Sequence, residues 1–568
     1  MRSALGLLIT LALFLTSFVP ARAAWLPNGV PIGNAVGDQR GPAMVSLGGG
    51  GFIVAWSDGR NVSSGVVYAQ RIDLTGTSQW TANGVALSTE IFGYQSGAVI
   101  ASDGVGGAIV AWSDYRNANF DIYAQRVNAA GVPQWTADGV ALSTAAQYQA
   151  TPTIVSDGAG GAIVVWEDNR SGNSDAPDIY AQRVNASGIP QWTADGVAVC
   201  AAAVYQYEPK AVSDGAGGAI ITWQDWQNGS PDIFAQRVNA AGTPQWTADG
   251  VALCTAANEG NVQSSPVITS DAVGGAIVAW SDSRSGGYDL YAQRVNAAGI
   301  PQWTADGVAV CTHTSNQATS AIVSDGAQGA VVAWVDSRSG PAVYDIYAAR
   351  VTAAGTVQWT PDGVALCTAA FDQIEPAVST DGAGGAIVTW KDNRTGLGYD
   401  VYARRVDALG VPHWTPDGVA MCTVDREQAG PTIISDGVGG AFVAWNDFRS
   451  GTNYDVYAQR VLDGVIPTGV GDTPSASVVA LASNYPNPFS AGTTIDLSLS
   501  SDAMVEIEVF EVTGRIVRTL ELGRVSAGSK PMGFDGRDDR GRLLASGVYF
   551  YRVRANGTAV TRKMVITR

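Results

Sequence analysis

A tryptophan that closes a Gly-rich turn and an apolar run returns eight times along this chain, at Trp56, Trp112, Trp166, Trp223, Trp280, Trp334, Trp390 and Trp445, with a period of 54 to 57 residues. The segment Gly106-Gly107-Ala108-Ile109-Val110-Ala111-Trp112 is typical. Such a period marks one supersecondary unit per repeat, stacked on its neighbours because no single unit buries its apolar faces alone. A second segment, of the type Gln134-Trp135-Thr136-Ala137-Asp138-Gly139-Val140, follows each of the first seven tryptophans but not the eighth. Its missing member stands at the other end of the chain, as Trp25-Leu26-Pro27-Asn28-Gly29-Val30. An array whose last unit is completed by its first residues closes into a ring.

Each repeat divides into four strand candidates. In the third they are Thr153 to Ser156, the apolar Ala162 to Trp166, Asp178 to Val184, and Gln191-Trp192 to Val199. Asp178 to Val184 places Ile179 and Ala181 on one face and Tyr180 and Val184 on the other. Two partly apolar faces suit a sheet sandwiched between neighbours, unlike a sheet with one wet side. The expected fold is therefore all-β: an eight-bladed β-propeller with 3+1 strand closure over residues 24–465, a linker at 466–480 and a small β-sandwich at 481–568. A seven-bladed ring with one divergent unit is the alternative.

The first 23 residues place Arg2 ahead of an apolar stretch, Ala4 to Leu15, and the small-residue site Ala21-Arg22-Ala23, the pattern of a secretory signal. That stretch is shorter than the roughly 20 residues a spanning helix needs, and no later segment reads as transmembrane. The expected address is the outer cell surface or the medium, reached through the periplasm. Net charge is -17, and with 12 basic and 9 acidic residues from Ala480 onward the remainder carries -20. Acidity of this size argues against a nucleic-acid partner and keeps an exported protein soluble.

The five cysteines, Cys200, Cys254, Cys311, Cys367 and Cys422, each lie eight residues after an outer-segment tryptophan, where two other copies hold Ser88 and Ser143. Equivalent positions in successive units lie a blade apart, beyond disulfide reach, so small buried thiols are expected. With His313 and His413 as the only histidines and no CxxC, a zinc site lacks ligands. No cofactor is expected. Acidic loops such as Asp168 to Asp178 leave calcium open, without the spacing of an EF-hand.

Two hairpins in each unit are constant: nine residues from the Asp of the Gly-rich turn to the blade tryptophan, and twelve from the aromatic of the DIY motif to the next tryptophan. The other two connections vary, from 11 to 14 and from 14 to 17 residues. In an up-and-down sheet these share the opposite side of the ring, and variable loops on a fixed scaffold mark a candidate functional face. On that side, three residues ahead of each expected innermost strand, stands a glutamine: Gln39, Gln95, Gln149, Gln206, Gln263, Gln317, Gln373 and Gln428. These amides either form a collar for a sugar or peptide at the channel mouth or satisfy backbone groups where blades meet.

Trp-x-Asp-x-Arg recurs as Asp58/Arg60, Asp114/Arg116, Asp168/Arg170, Asp282/Arg284, Asp336/Arg338, Asp392/Arg394 and Asp447/Arg449, while the fourth unit reads Asp225-Trp226-Gln227. A pair repeated this often reads as a loop staple, because a catalytic site needs groups in different roles. A hydrolase in the channel would need a differentiated acidic pair. The irregular elements, Trp226, Asn258 to Asn261, His313 and Asp425 to Glu427, supply none.

The last 88 residues hold no Cys or Trp and half of the four lysines. The segments Asn484-Tyr485-Pro486-Asn487-Pro488-Phe489, Thr513-Gly514-Arg515, Phe534-Asp535-Gly536-Arg537-Asp538, Ala545-Ser546-Gly547-Val548-Tyr549-Phe550-Tyr551 and Arg562-Lys563-Met564-Val565-Ile566 resemble type IX secretion C-terminal sorting domains and the related FlgD-type Ig-like domain. The resemblance implies delivery by outer-membrane secretion machinery, with Asn484, Pro486, Pro488, Gly514, Gly547, Tyr549 and Lys563 as sorting-motif residues. The expected function is a non-enzymatic module binding a surface glycan or protein; a secreted hydrolase and a structural surface component are the alternatives.

Overall fold

The computed structural model describes residues 25–466 apart from 61–64, 91–92, 173–175, 257–261 and 341–342, and residues 479–567 apart from 482–483, 485–486, 488, 491, 500–501, 512–514, 527 and 556–557. The expected signal, 1–23, and most of the linker lie outside the described residues. The chain divides between Ile466 and Pro467 into two compact units.

The first unit consists of eight antiparallel sheets, seven of four strands and the sixth of five, where the short Val357–Gln358 also pairs with Asp345–Val351. The innermost strands of successive sheets touch all round, and the eighth touches the first, so the sheets are the blades of a closed propeller. Blade three runs Gln149–Ser156, Ala162–Asp168, Asp178–Val184 and Val197–Cys200 from the channel outwards. The innermost strand is longer than expected because it continues through a bulge, where Thr151 takes a φ of 54° and the register shifts between Ala150 and Thr153. Pro152 sits in this break, where no ladder hydrogen bond is required of it. The outer strand is shorter than expected: Trp192 belongs to the turn before it.

Alternation along the strands explains the stacking. Ala162, Val164, Trp166 and Val184 pack against blade two, while Ile163, Val165, Ile179 and Ala181 pack against blade four. Both faces of each blade are thus apolar and the blade tryptophans are fully buried. The indole of each outer-turn tryptophan reaches across the rim: Trp135 Nε1 donates to Ala186 O of the next blade at 3.1 Å. Gly188 lies on that ring with φ 80°, and a Cβ there would come within 2.6 Å of the indole.

The eighth blade takes its outer strand from the N-terminus. Val30–Gly33 pairs antiparallel with Asp455–Val461, Val30 opposite Ala458. Trp25 plays the part of the other rim tryptophans, donating from Nε1 to Leu74 O of blade one at 3.0 Å. Asn28 replaces the turn aspartate: its Oδ1 accepts from Thr423 N, as Asp138 Oδ1 accepts from Thr89 N. Its carbonyl accepts from Arg449 at 2.7 Å. The seam is further filled by Phe52 and Phe442, whose rings lie 4.8 Å apart.

The second unit is a sandwich of a three-stranded sheet, Val479–Leu481, Thr493–Leu499 and Gly528–Phe534, and a four-stranded one ordered Ile516–Val525, Ala503–Glu511, Gly547–Ala555 and Thr558–Ile566. Ile495, Leu497, Ile507, Val509, Tyr551, Val553 and Met564 form its core.

Candidate functional site

The eight glutamines open the innermost strands, each opposite the aspartate of Trp-x-Asp, as Gln149 pairs with Asp168. All eight are at most 1 % exposed. In six blades the amide nitrogen donates to the carbonyl two residues earlier, at 2.5 to 3.2 Å. Several of those earlier residues, Gly37, Gln147, Phe371 and Arg426, have left-handed backbone, which the amide pins in place. Gln95 instead donates to Ser88 Oγ and Asp114 Oδ2 and accepts from Val67 N of the preceding blade. Gln263 is satisfied when its amide nitrogen faces Pro231 O and Asp232 Oδ1, each at 3.0 Å. The glutamines therefore bind the crossover from blade to blade from within the seams.

The Trp-x-Asp-x-Arg residues form the loop staple. Trp166 Nε1 donates to Asp168 Oδ2, and Arg170 binds both carboxylate oxygens and the carbonyl of Asp195. Across the seven blades the ion pair spans 2.5 to 2.6 Å and the guanidinium lies 3.6 to 3.9 Å above the DIY tyrosine. The five thiols are buried and unpaired. Burial pushes those of Cys254, Cys311, Cys367 and Cys422 up to about 12, which removes thiolate character.

The variable positions near the start of each innermost strand lie two residues beyond each glutamine, at the bulge, and on the second strand between Trp and Asp. The bulge residues are Gly41, Gly97, Thr151, Glu208, Ser265, Thr319, Glu375 and Gly430; the second-strand residues are Ser57, Ser113, Glu167, Gln224, Ser281, Val335, Lys391 and Asn446. These positions differ between blades while their neighbours repeat, a sequence signal that loop lengths alone did not expose. They also bond to one another across the seams: Gly41 N donates to Asn446 Oδ1, Glu208 N to Glu167 Oε1 and Gly430 N to Glu375 Oε2.

Two charged clusters result, on opposite sides of the mouth. At blades three and four, Glu167 accepts from Thr151 Oγ1 and from Glu208 N, and Gln224 Nε2 donates to Glu208 Oε2 at 2.9 Å. Burial, with the Glu208 charge adding, holds the Glu167 carboxyl above its usual range, against its two hydrogen bonds and Lys210. At blades seven, eight and one, Lys391 pairs with Glu427 at 3.0 Å and Glu375 at 3.6 Å. Tyr454 donates to Glu427 and carries Arg40 on its ring. Against the cost of burial, Tyr454 and Lys391 hold Glu427 below the ordinary glutamate range. Of the irregular sequence elements, Glu427 belongs to these clusters, and Trp226 packs edge-on against Tyr205. Asn258 to Asn261 and part of the Asp168–Asp178 loop lie outside the described residues.

In the tail, Asn484 is buried and donates to Thr493 Oγ1, and Tyr549 donates from its buried phenol to Ala545 O. Gly547 begins a core strand and Lys563 stands exposed on the last one, opposite Phe550. Pro486, Pro488 and Gly514 lie outside the described residues. Asn487 Oδ1 accepts from Val565 N, so the start of the domain is tied to its final strand. Residues 485–559 match the FlgD Ig-like domain family. The FlgD-type resemblance of the tail thus rests on a family match as well as on motifs. No curated protein sequence matches the chain.

Solved structures similar to the chain include PorZ, a surface component of the type IX secretion system of Porphyromonas gingivalis, at 12 % identity over 94 % of this chain and 75 % of that one, TM-score 0.27. The polysaccharide lyase Uly1 is similar at 10 % identity over 79 % and 94 %, TM-score 0.39. An α-L-arabinanase of Penicillium chrysogenum is similar at 15 % identity over 56 % and 93 %, TM-score 0.33.

Proposed function

We propose that this protein is exported by the signal at 1–23, delivered to the outer surface by its FlgD Ig-like tail, and binds a glycan on the variable-loop face of the propeller. One observation carries the reading. Among the described residues of the propeller, the most exposed large aromatics are Tyr94, Tyr115, Trp226, Tyr288, Tyr344 and Phe371, and all six belong to the variable connections. The opposite face exposes aliphatic residues instead, such as Val105, Ile189 and Ile300. Aromatic rings beside carboxylates and amides suit a ligand with both apolar ring faces and hydroxyls.

A glycan array probed with the exported chain tests this, with a second probe carrying Tyr94, Trp226 and Tyr288 replaced by serine. The expected result is a glycan bound by the parent and bound more weakly by the triple variant. A parent that binds no glycan, or binds a surface protein instead, overturns it. The hydrolase alternative finds one supporting observation, the contact of Glu167 with Glu208. Release of reducing sugar from a bound glycan, abolished by Glu167→Gln, is the result that would favour it.

A further inference from the structure

Blade four departs from the repeat at several positions at once, and the departures converge. Its second-strand loop reads Asp225-Trp226-Gln227, so the guanidinium that staples this loop elsewhere is missing. Gln227 is exposed, and the third-strand aromatic that would carry the guanidinium is Phe234, without a hydroxyl. The loop presents Trp226 outward, its ring edge-on to Tyr205 at 6.0 Å. Tyr205 in turn stacks on Tyr207 at 6.0 Å. Tyr207 belongs to the innermost strand Gln206–Ser213, so three rings run in a row from the loop rim to the channel mouth.

Where the row ends, the innermost strand carries Glu208 at its bulge, with a φ of 56°, and Lys210 just beyond it. Lys210 is exposed and is one of only two lysines in the propeller. Gln224 holds Glu208 from the second strand. Each of these groups replaces a small or apolar residue found at the same position in most other blades.

We infer that blade four, where its innermost strand meets the variable loops, is a binding site for a neutral glycan chain, with Trp226, Tyr205 and Tyr207 as the stacking platform and Glu208, Gln224 and Lys210 as hydroxyl partners. The inference rests on the glycan reading of the loop face and narrows it to one blade. Ring faces take the apolar face of a sugar, and the carboxylate, amide and ammonium between them accept and donate to hydroxyls. The propeller, with 20 basic and 41 acidic residues over 24–465, carries a charge of -21 that selects the class: uronate or sulfated polymers are repelled, whereas an uncharged chain is not.

The experiment is affinity electrophoresis of the exported full chain through gels containing xylan, linear arabinan, laminarin or dextran, with polygalacturonate as the charged comparison. Retardation in at least one neutral gel and none in polygalacturonate is expected. Trp226→Ala and Glu208→Gln should each weaken that retardation, the first by about tenfold in dissociation constant. Trp226→Tyr should restore most of it, and Ile300→Ala, on the opposite face, should change nothing. All variants must keep the parent melting temperature; a Trp226→Ala chain that unfolds is replaced by the Trp226→Tyr and Glu208→Gln pair. If both blade-four variants bind like the parent while Tyr288→Ala loses affinity, the blade-four site is overturned and the face reading survives. No retardation in any neutral gel overturns both, and tighter retention by polygalacturonate overturns the neutral class.

Discussion

Leu47 is the residue at which the repeat breaks its own rule. In the other seven blades this position is an aspartate that pairs with the arginine of the third strand at 2.7 to 3.0 Å. Its second oxygen accepts two turn N–H groups, as Asp103 Oδ1 does from Val105 and Gly107. In blade one the partner Arg71 is left with a buried Nε that has no acceptor. Leu47→Asp should complete the pair and stabilise the propeller by about 1 kcal/mol, read as a rise in melting temperature; a fall would mean that the leucine methyls matter more than the ion pair. The seam glutamines act oppositely. Gln149→Ala removes the buried amide that donates to the carbonyls of Ala145, Ala146 and Gln147 and should cost about 1 to 3 kcal/mol by thermal unfolding, while glycan affinity stays at the parent value. An unchanged melting temperature with lost affinity would return the glutamines to the ligand.

At the scale of the element, the N-terminal strand decides whether eight blades become a ring. Trp25 is almost fully buried among Val30, Ile32, Phe52 and Phe442, residues drawn from blades one and eight. Gly29, at φ 88°, lets the chain pass within contact of the Trp445 ring, which no larger residue permits. Trp25→Ala should therefore cost about 3 to 5 kcal/mol by denaturant unfolding. Removing Trp25 to Gly33 should do more, because the edge of Asp455–Val461 is then left unpaired and open to association. A deletion variant with parent stability that stays monomeric in size-exclusion chromatography would refute the closure.

For the whole molecule, pH is the readable variable. Asp178, Asp400 and Asp455 open the third strands directly opposite the staple aspartates Asp168, Asp392 and Asp447. Burial first, and then the facing carboxylate, pushes all three up to about 6, while Arg170, Arg394 and Arg449 oppose this only in part. The folded chain thus binds protons that the unfolded chain, titrating near 4, has already lost. Stability from these groups is fully present below about pH 4 and declines as pH rises through about 6. Asp282 and Asp336, held below the usual range by Arg284 and Arg338 despite burial, act the other way and lose their contribution under stronger acid. The melting temperature should rise from pH 7 towards pH 5, and Asp178→Asn, Asp400→Asn and Asp455→Asn together should flatten that slope. At the same scale, a chain ending at Ile466 should fold but accumulate in the periplasm, checked by cell fractionation; normal surface delivery would detach the tail from sorting.

The ring itself was legible in the chain because eight copies of one pattern average out the ambiguity of any single segment, and because the displaced Trp25 segment has no use except closure. The staple was legible for the same reason: a pair present in seven blades serves the scaffold. Strand ends were less so, since the bulge at Thr151 depends on a left-handed backbone that no local propensity demands, and Trp192 was drawn out of its strand by the next blade's glycine. The glutamines show the limit most clearly. Periodicity placed them on the correct side of the ring, but whether an amide points into a channel or into a seam depends on side chains tens of residues away. The same dependence brings Glu167 and Glu208, 41 residues apart, into contact, and sets the ring of Trp226 edge-on to Tyr205. Repetition along the chain determines architecture, because every copy meets the same neighbours; the site is built from what differs between copies, and only the packing of one blade on the next decides which differences meet.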